Sequence, residues 1–126
     1  MPDILLVADE PWIVNDVRAA LDAHAITVQD DPRAAAGTWL EGDHDVIVVD
    51  LQVASMGGMA VTRAVRDAAA TAGRPRPPIV LLTDRDADAF LAKRAGASAW
   101  LRKPFGSFAL RDLVERLAAD AVTDPS

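Results

Sequence analysis

Short apolar runs alternate with longer stretches of helical periodicity along the whole chain. The central run, Val46-Ile47-Val48-Val49, contains only β-branched residues, which is typical of a strand buried on both faces of a sheet. The run at 25–29 is the weakest of the five. The predicted strands are residues 4–7, 25–29, 45–50, 79–82 and 99–101.

The segments between these runs carry the start and stop signals of helices. Pro11 and Pro32 suit the first turn of a helix, and the acid before each proline suits the N-terminal cap. Either Asp84 or Asp86 is predicted to cap the fourth helix, which Gly96 ends. The predicted helices run from residue 11 to about 23, 31 to about 42, 59 to 72, 84 or 86 to 95, and 107 to about 120.

Apolar residues recur at helical spacing, so each helix is predicted to bury one face. The inward residues of the fourth helix are predicted to be Ala87, Phe90 and Leu91. The stripe of the fifth helix is Leu110, Leu113, Val114 and Leu117. Of the remaining aromatic and imidazole side chains, Trp12 and Trp39 are predicted to be partly exposed, and His24 and His44 to lie on the surface.

The alternation of five strands with five helices predicts an α/β domain with a doubly wound parallel sheet. Its crossovers are right-handed, and helices cover both faces. Ligands bind such sheets beyond the carboxyl ends of the strands, where the strand order reverses. The domain is predicted to span residues 1–120, and residues 121–126 to form a short frayed tail. No effector domain is expected after the fifth helix.

Composition narrows the function classes. The 126 residues carry a formal net charge of −6, and a pI of about 4.7 argues against direct binding to DNA or to an anionic membrane. The chain has no cysteine, which excludes disulfides, thiolate zinc sites and cysteine nucleophiles. No apolar run approaches the roughly 20 residues of a membrane span, and no signal peptide is evident. A cytoplasmic location is therefore expected.

Chemically capable side chains follow four of the predicted strands: Asp9 with Glu10, then Asp50, Thr83 and Lys103. Acids at two neighbouring strand ends make an oxygen-only site that suits Mg²⁺. A hydroxyl and an ammonium can hold phosphoryl oxygens, and a carboxylate such as Asp50 can form an acyl phosphate. Glycine-rich phosphate loops are absent, so binding of ATP or a dinucleotide is unsupported.

These segments resemble the receiver domain of bacterial two-component response regulators, over essentially the whole chain. Each segment is weak alone, but five in order at these spacings are specific. The matching segments are Ile4-Leu5-Leu6-Val7-Ala8-Asp9-Glu10, Val48-Val49-Asp50-Leu51, Met56-Gly57-Gly58, Leu82-Thr83 and Lys103-Pro104-Phe105. The resemblance implies the flavodoxin-like (βα)5 fold with strand order 2-1-3-4-5.

The resemblance also implies a role for each residue. Asp50 would accept a phosphoryl group from a sensor histidine kinase or phosphotransfer protein in a phosphorelay. Lys103 would pair with this acceptor, and Thr83 would contact the phosphoryl group after transfer. Trp100 occupies the place of an aromatic residue that swings inward on activation. The chain would catalyse only its own aspartyl phosphorylation and dephosphorylation, and so is not expected to be an enzyme.

Further implied partners are a magnesium ion and a downstream protein. Asp9, Asp50 and the backbone carbonyl of Gln52 match the ligands of Mg²⁺, and Glu10 is an additional candidate. A stand-alone receiver would signal by protein contact through the fourth helix, fifth strand and fifth helix. The sequence leaves open whether the chain forms a homodimer.

Four positions depart from the family pattern. Ala8 stands where the first of two adjacent acids is usual, so weakened Mg²⁺ affinity is expected. Gly57 replaces a common acid and Ala54 a common proline. Asp84 follows Thr83, where a small residue is usual. Its carboxylate has three alternative effects: it repels the phosphoryl group, occludes the pocket, or restores the missing acid.

Blander interpretations exist for each candidate. Asp9 can be a helix cap, Asp50 a carboxylate bonded to backbone N–H groups, and Lys103 a solvated surface lysine. The Lys103–Pro104 bond is a candidate cis peptide. At the level of the domain, the alternative function is a pseudo-receiver that binds a partner without phosphorylation. A flavin-binding protein of the same topology is a third alternative, disfavoured because the acids after the first strand repel phosphate.

Overall fold

The fold comes from a computed structural model, which describes residues 2–53 and 56–123. Strands and helices alternate along the chain, and a short 3₁₀ turn at Pro32–Ala34 precedes the second helix. The elements are β1 (Asp3–Val7), α1 (Pro11–Ala20), β2 (Ala25–Gln29), α2 (Ala35–Glu41), β3 (Val46–Asp50), α3 (Gly58–Ala72), β4 (Ile79–Thr83), α4 (Asp88–Ala95), β5 (Ala99–Arg102) and α5 (Ser107–Thr123).

All strand pairs are parallel, and the sheet order is β2-β1-β3-β4-β5. The predicted fold class and strand order are confirmed. β3 lies in the middle, with Val48 paired to Leu6 of β1 and to Val80 of β4. Every residue of β3 is buried, as its unbroken β-branched run predicts. Asp50 ends this strand at the carboxyl edge of the sheet.

The two faces of the sheet form separate cores. Alternate residues of each strand point to opposite faces, so Ile4 and Leu6 pack with α1 and α5, whereas Leu5 and Val7 pack with α2, α3 and α4. The predicted stripe of α5 is confirmed, because all four of its residues belong to or pack against the first core: Leu110, Leu113, Val114 and Leu117.

The fourth helix differs from its prediction. α4 begins at Asp88, and its buried residues are Asp88, Ala92 and Ala95. Phe90 and Leu91 are 66% and 46% exposed, so their predicted inward orientation is wrong, and Ala87 is also exposed. α4 instead presents its small residues Ala92 and Ala95 to the core, which allows the helix to pack closely.

The boundaries of the other helices need smaller corrections. α1 ends at Ala20, about one turn before the predicted end. Glu10 occupies its N-cap position, but its side chain makes no capping hydrogen bond. The predicted cap at Asp31 is confirmed, since its carboxylate accepts a hydrogen bond from the backbone N–H of Arg33 at 3.0 Å. α5 continues to Thr123, beyond the predicted start of the frayed tail.

Two side chains predicted to be at the surface are buried. Trp39 is only 2% exposed, and the guanidinium of Arg74 lies 4.4 Å from its ring centroid. The side chain of His24 is 1% exposed, and its Nε2 lies 2.9 Å from a carboxylate oxygen of Glu115. Periodicity alone did not indicate that α5 and a loop arginine cover these positions.

The structure bears out the remaining exposures in part. Trp12 is half exposed, as predicted, and His44 is half-buried. Among the helices of the described residues, none combines the length and apolar character needed to cross a bilayer.

Candidate functional site

Asp50 is fully buried at the carboxyl end of β3. Its Oδ1 accepts a hydrogen bond from the Lys103 ammonium and a long one, 3.4 Å, from the backbone N–H of Gln52. Its Oδ2 is buried and has no hydrogen-bond partner among the described residues. A buried carboxylate oxygen without a partner is costly for the folded state, so this oxygen is suited to a metal ion or an incoming electrophile.

Lys103 follows β5 and reaches back across the sheet edge. Its backbone N–H donates to the carbonyl of Thr83 at 2.7 Å, which joins the ends of β4 and β5. The predicted cis peptide between Lys103 and Pro104 is present. Burial alone lowers the pKa of the Lys103 ammonium, but hydrogen bonds and charges from Asp50 and Asp84 outweigh it and raise the pKa above its ordinary value.

Asp84 supplies a second carboxylate to the same ammonium. Its Oδ1 lies 3.1 Å from Lys103 Nζ, and its side chain is 29% exposed. The predicted cap role of Asp84 and Asp86 is wrong. Asp88 organises this loop instead: its Oδ2 accepts hydrogen bonds from the backbone N–H groups of Asp84 at 3.2 Å and Arg85 at 2.9 Å.

Asp88 is a site residue that the sequence analysis missed. Burial of Asp88 raises the pKa of its carboxyl. The backbone hydrogen bonds from Arg85 and Asp84 and the charge of Arg85 together lower this pKa by more, so the net value is below the ordinary 3.8. An acid five residues after Thr83, the last residue of β4, is a weak signal, because Asp84 and Asp86 offered equally suitable caps.

Thr83 and Trp100 differ in their relation to this cluster. Thr83 ends β4 and is buried at 1% exposure, next to Arg102 in the register of β5. Trp100 lies two residues before Arg102 on β5, where it pairs with Leu81 of β4. Its side chain is 36% exposed. The sheet thus brings Thr83 to the edge where Asp50 and Lys103 meet, whereas the Trp100 ring lies partly at the surface.

Gly58 packs closely against the end of β3. A Cβ at Gly58 would lie 2.6 Å from the carbonyl oxygen of Asp50 and 2.9 Å from the Cα of Leu51. Gly57 has a φ of +80°, which suits glycine. The predicted tight turn from residue 51 to 58 is therefore seen at its end, while Ala54 and Ser55 lie outside the described residues.

Asp9 and Glu10, the other candidate metal ligands with side-chain carboxylates, lie nearer the surface than Asp50. Asp9 and Glu10 are exposed, two and three residues after Val7, which pairs with Val49 of β3. Ala8 is buried and brings no carboxylate. Within residues 2–53 and 56–123, no group of three or more His, Cys, Asp or Glu side chains is arranged to hold a metal. The unpartnered Oδ2 of Asp50 still fits one ligand of a hydrated Mg²⁺, which needs only one or two carboxylates.

Taken together, a five-stranded doubly wound sheet with an acid–lysine pair at its carboxyl edge defines a signalling domain of the receiver class. The chain belongs to the response regulator receiver domain family, whose family model matches residues 4–116. Receiver domains are signalling modules of two-component systems. This membership leaves the flavin-binding alternative without support.

Individual relatives agree with this assignment. The chain is 31% identical over 120 residues to the transcriptional regulatory protein ResD of Bacillus subtilis, which covers 92% of this chain and 46% of ResD. It spans less than half the length of the curated relatives it matches.

Two solved structures illustrate the fold. The receiver domain of the sensor histidine kinase PA1611 of Pseudomonas aeruginosa, solved with magnesium in its active-site cleft, is 25% identical. The superposition has a TM-score of 0.79 and covers 94% of this chain and 98% of the PA1611 receiver domain. The receiver domain of Ssk1 of Saccharomyces cerevisiae, co-crystallised with the phosphotransfer protein Ypd1, has a TM-score of 0.87 at 23% identity, covering 99% of this chain and 96% of that one. At this identity the second likeness concerns the fold alone.

Proposed function

We propose that the chain is a phosphoacceptor in a two-component phosphorelay, and that Asp50 receives the phosphoryl group. One observation carries this proposal: Asp50 is a fully buried carboxylate whose Oδ1 is held by Lys103 and whose Oδ2 has no hydrogen-bond partner in the described part of the chain. A buried acid kept half-satisfied in this way is typical of a functional group rather than of a structural one.

The donor is a phosphohistidine of a sensor histidine kinase or a phosphotransfer protein. A carboxylate oxygen of Asp50 attacks the phosphorus, and the bond between phosphorus and the histidine nitrogen breaks. The electron pair stays on that nitrogen, and an acyl phosphate forms on Asp50. Lys103 neutralises negative charge on the transferring group, and the Thr83 hydroxyl donates a hydrogen bond to a phosphoryl oxygen.

Asp9, Asp50 and the carbonyl of Gln52 would hold a Mg²⁺ ion, with Glu10 as an additional ligand. The ion, when bound, supplies charge neutralisation on the phosphoryl oxygens. Because Ala8 brings no carboxylate, the affinity for Mg²⁺ is expected to be weak. A titration with Mg²⁺ followed by tryptophan fluorescence tests this, since Trp12 lies only two residues after Glu10 in the sequence. Saturation only at millimolar Mg²⁺ supports the proposal, and a flat response counts against it.

The decisive experiment is phosphorylation by a small donor. The chain is incubated with Mg²⁺ and acetyl phosphate, and its intact mass is measured. One phosphoryl increment is expected on the wild type and none on Asp50→Asn. Absence of the increment from the wild type, or its persistence in Asp50→Asn, would contradict the assignment of Asp50 as the acceptor.

The second candidate function is a pseudo-receiver that binds its partner without phosphorylation. It is favoured by Ala8, which removes an acid, and by Asp84, which already occupies the ammonium of Lys103. It predicts that partner binding is the same for wild type and Asp50→Asn.

The signal is expected to leave through the face formed by α4, β5 and α5. Four large apolar side chains are exposed on these elements: Phe90, Leu91, Trp100 and Phe108. Large apolar side chains exposed on adjoining elements are typical of protein-binding surfaces. A pull-down that compares wild type with Asp50→Glu, which keeps the carboxylate charge and lengthens the side chain by one methylene group, would identify a downstream protein and show whether capture depends on residue 50.

A further inference from the structure

Asp84 contacts the Lys103 ammonium directly, yet the proposed phosphoacceptor chemistry gives it no role. It lies directly after Thr83, and its Oδ1 is 3.1 Å from Lys103 Nζ. The Lys103 side chain is only 8% exposed, so its ammonium has few partners other than these carboxylates. Asp50 and Asp84 thus share a single cation, and the three groups carry a formal charge of −1.

The position of Asp84 is fixed by its own loop. The Asp88 carboxylate holds the backbone N–H groups of Asp84 and Arg85, and Asp88 is itself buried in α4. The second oxygen of Asp84, Oδ2, is buried and has no hydrogen-bond partner among the described residues. An oxygen left unsatisfied next to an ammonium indicates that the contact with Lys103 is what holds the side chain inward.

We propose that Asp84 is an internal competitor of the phosphoryl group for Lys103, which biases this receiver towards its unphosphorylated state. This inference rests on the proposed function of Asp50. It assigns Asp84 a positioning role: it touches Lys103 and acts on the reaction only through that ammonium.

The competition follows from charge and from the number of donors. An ammonium has three N–H groups, and here two of them face carboxylates. A phosphoryl group brings about two negative charges to the same place and needs the ammonium for its own oxygens. Asp84 must then leave Lys103 or remain beside a like charge, and either outcome opposes transfer. Because Asp88 ties the backbone of Asp84 to α4, a displaced Asp84 also pulls on the start of that helix.

The test uses beryllofluoride, a phosphoryl mimic, titrated in the presence of Mg²⁺ and followed by tryptophan fluorescence. Asp84→Asn keeps the shape and removes the charge, whereas Asp84→Glu keeps the charge. Asp86→Asn is the matched control, because Asp86 is an exposed acid of the same loop, paired with Arg102 at 3.2 Å. Thermal unfolding verifies that each variant is folded.

We expect Asp84→Asn to bind beryllofluoride about tenfold more tightly than wild type, which corresponds to about 1.4 kcal/mol. Asp84→Glu and Asp86→Asn are expected to stay within about twofold of wild type, a difference of about 0.4 kcal/mol. Phosphorylation by acetyl phosphate, measured by intact mass, should likewise be greater for Asp84→Asn than for wild type, Asp84→Glu and Asp86→Asn.

The outcomes separate the two proposals. If wild type and Asp84→Asn bind and are phosphorylated equally, the competition is refuted while the role of Asp50 stands. If Asp86→Asn gives the same gain as Asp84→Asn, the effect is one of general charge, and the competition is likewise refuted. If neither wild type nor Asp84→Asn binds beryllofluoride or gains a phosphoryl group, the proposed function fails and the competition fails with it.

Discussion

At the scale of single residues, the site is a buried ammonium held by two carboxylates. Removing the cation of this cluster has a different consequence from removing one of its carboxylates. Asp50 and Asp84 both depend on Lys103, whereas Lys103 retains one counter-ion if either acid is lost. The stability of the folded state is therefore expected to be asymmetric towards these substitutions.

Lys103→Met should lower the free energy of unfolding by about 3 kcal/mol, because it leaves two carboxylates without their counter-ion. Asp50→Asn should change it by less than about 1 kcal/mol, because Asp84 still pairs with Lys103. Urea denaturation of the three proteins measures both values. Equal losses in the free energy of unfolding for Lys103→Met and Asp50→Asn would contradict the sharing of Lys103 by Asp50 and Asp84.

Asp88 gives the site a pH dependence whose direction follows from its lowered pKa. A carboxyl whose pKa is depressed in the folded state stabilises that state above its unfolded pKa. This contribution is lost as the pH falls through the folded value, which is below the ordinary 3.8. Wild type should thus be more stable than Asp88→Asn at neutral pH, and the difference should vanish in acid.

Thermal unfolding of both proteins from pH 7 down to strongly acid conditions measures this difference. Asp86→Asn serves as the control, because the Asp86 carboxylate is exposed and, among the described contacts, pairs with Arg102 and accepts no backbone N–H. A stability gap between wild type and Asp88→Asn that stays constant with pH would contradict a charged role for Asp88.

At the scale of elements, the contact between α3 and β3 fixes the surroundings of Asp50. Gly58→Ala places a methyl group 2.6 Å from the Asp50 carbonyl, and relief of this clash requires movement of backbone. We expect a loss of about 1–3 kcal/mol in the free energy of unfolding. Gly37→Ala is the matched control: beyond its chain neighbours and the backbone of its own helix, no heavy atom lies within 4 Å of a Cβ placed there, so this helical substitution should be neutral or stabilising by up to about 1 kcal/mol.

The same measurement distinguishes the exposed and the buried faces of α4 and α5. Phe90 is 66% exposed on α4, and Leu110 is fully buried on α5. Phe90→Ser should therefore change the free energy of unfolding by no more than about 0.5 kcal/mol, whereas Leu110→Ala should cost about 2–5 kcal/mol. If Phe90→Ser were as destabilising as Leu110→Ala, the outward orientation of Phe90 would be wrong.

How far each element could be predicted depends on which residues cover it. β3 was predictable because an unbroken β-branched run has few alternatives. α4 was not, since its core contacts are made by Ala92 and Ala95 while the larger Phe90 and Leu91 face outward. A short helix that packs through alanines leaves almost no trace in the hydrophobic pattern.

The site likewise contains residues that the sequence pattern predicts and residues that it does not. Asp50, Thr83 and Lys103 were predictable because parallel strands deliver their carboxyl ends to one edge. The contact of Asp84 with Lys103 and the support from Asp88 depend on the path of a loop. Several acids in that loop could have served as caps, and neither spacing nor propensity chooses among them.

At the scale of the whole molecule, ligand binding and folding are linked. An ion that binds only the folded chain stabilises it by about 1.4 kcal/mol at ten times its dissociation constant. Millimolar Mg²⁺ should thus raise the unfolding temperature of wild type, and the double variant Asp9→Asn with Asp50→Asn should not respond. An equal rise in both proteins would indicate a general salt effect.

The central position of β3 has a consequence for where change in this molecule can occur. A strand with neighbours on both sides and no exposed residue exchanges its amide hydrogens only when the whole domain opens. α4, attached near one edge through small side chains, opens at lower cost. Asp50 thus lies on the strand that is expected to exchange most slowly, whereas α4 is expected to exchange faster. If Asp50 is phosphorylated as proposed, exchange in β3 should stay unaltered and exchange from Asp84 through α4 should change.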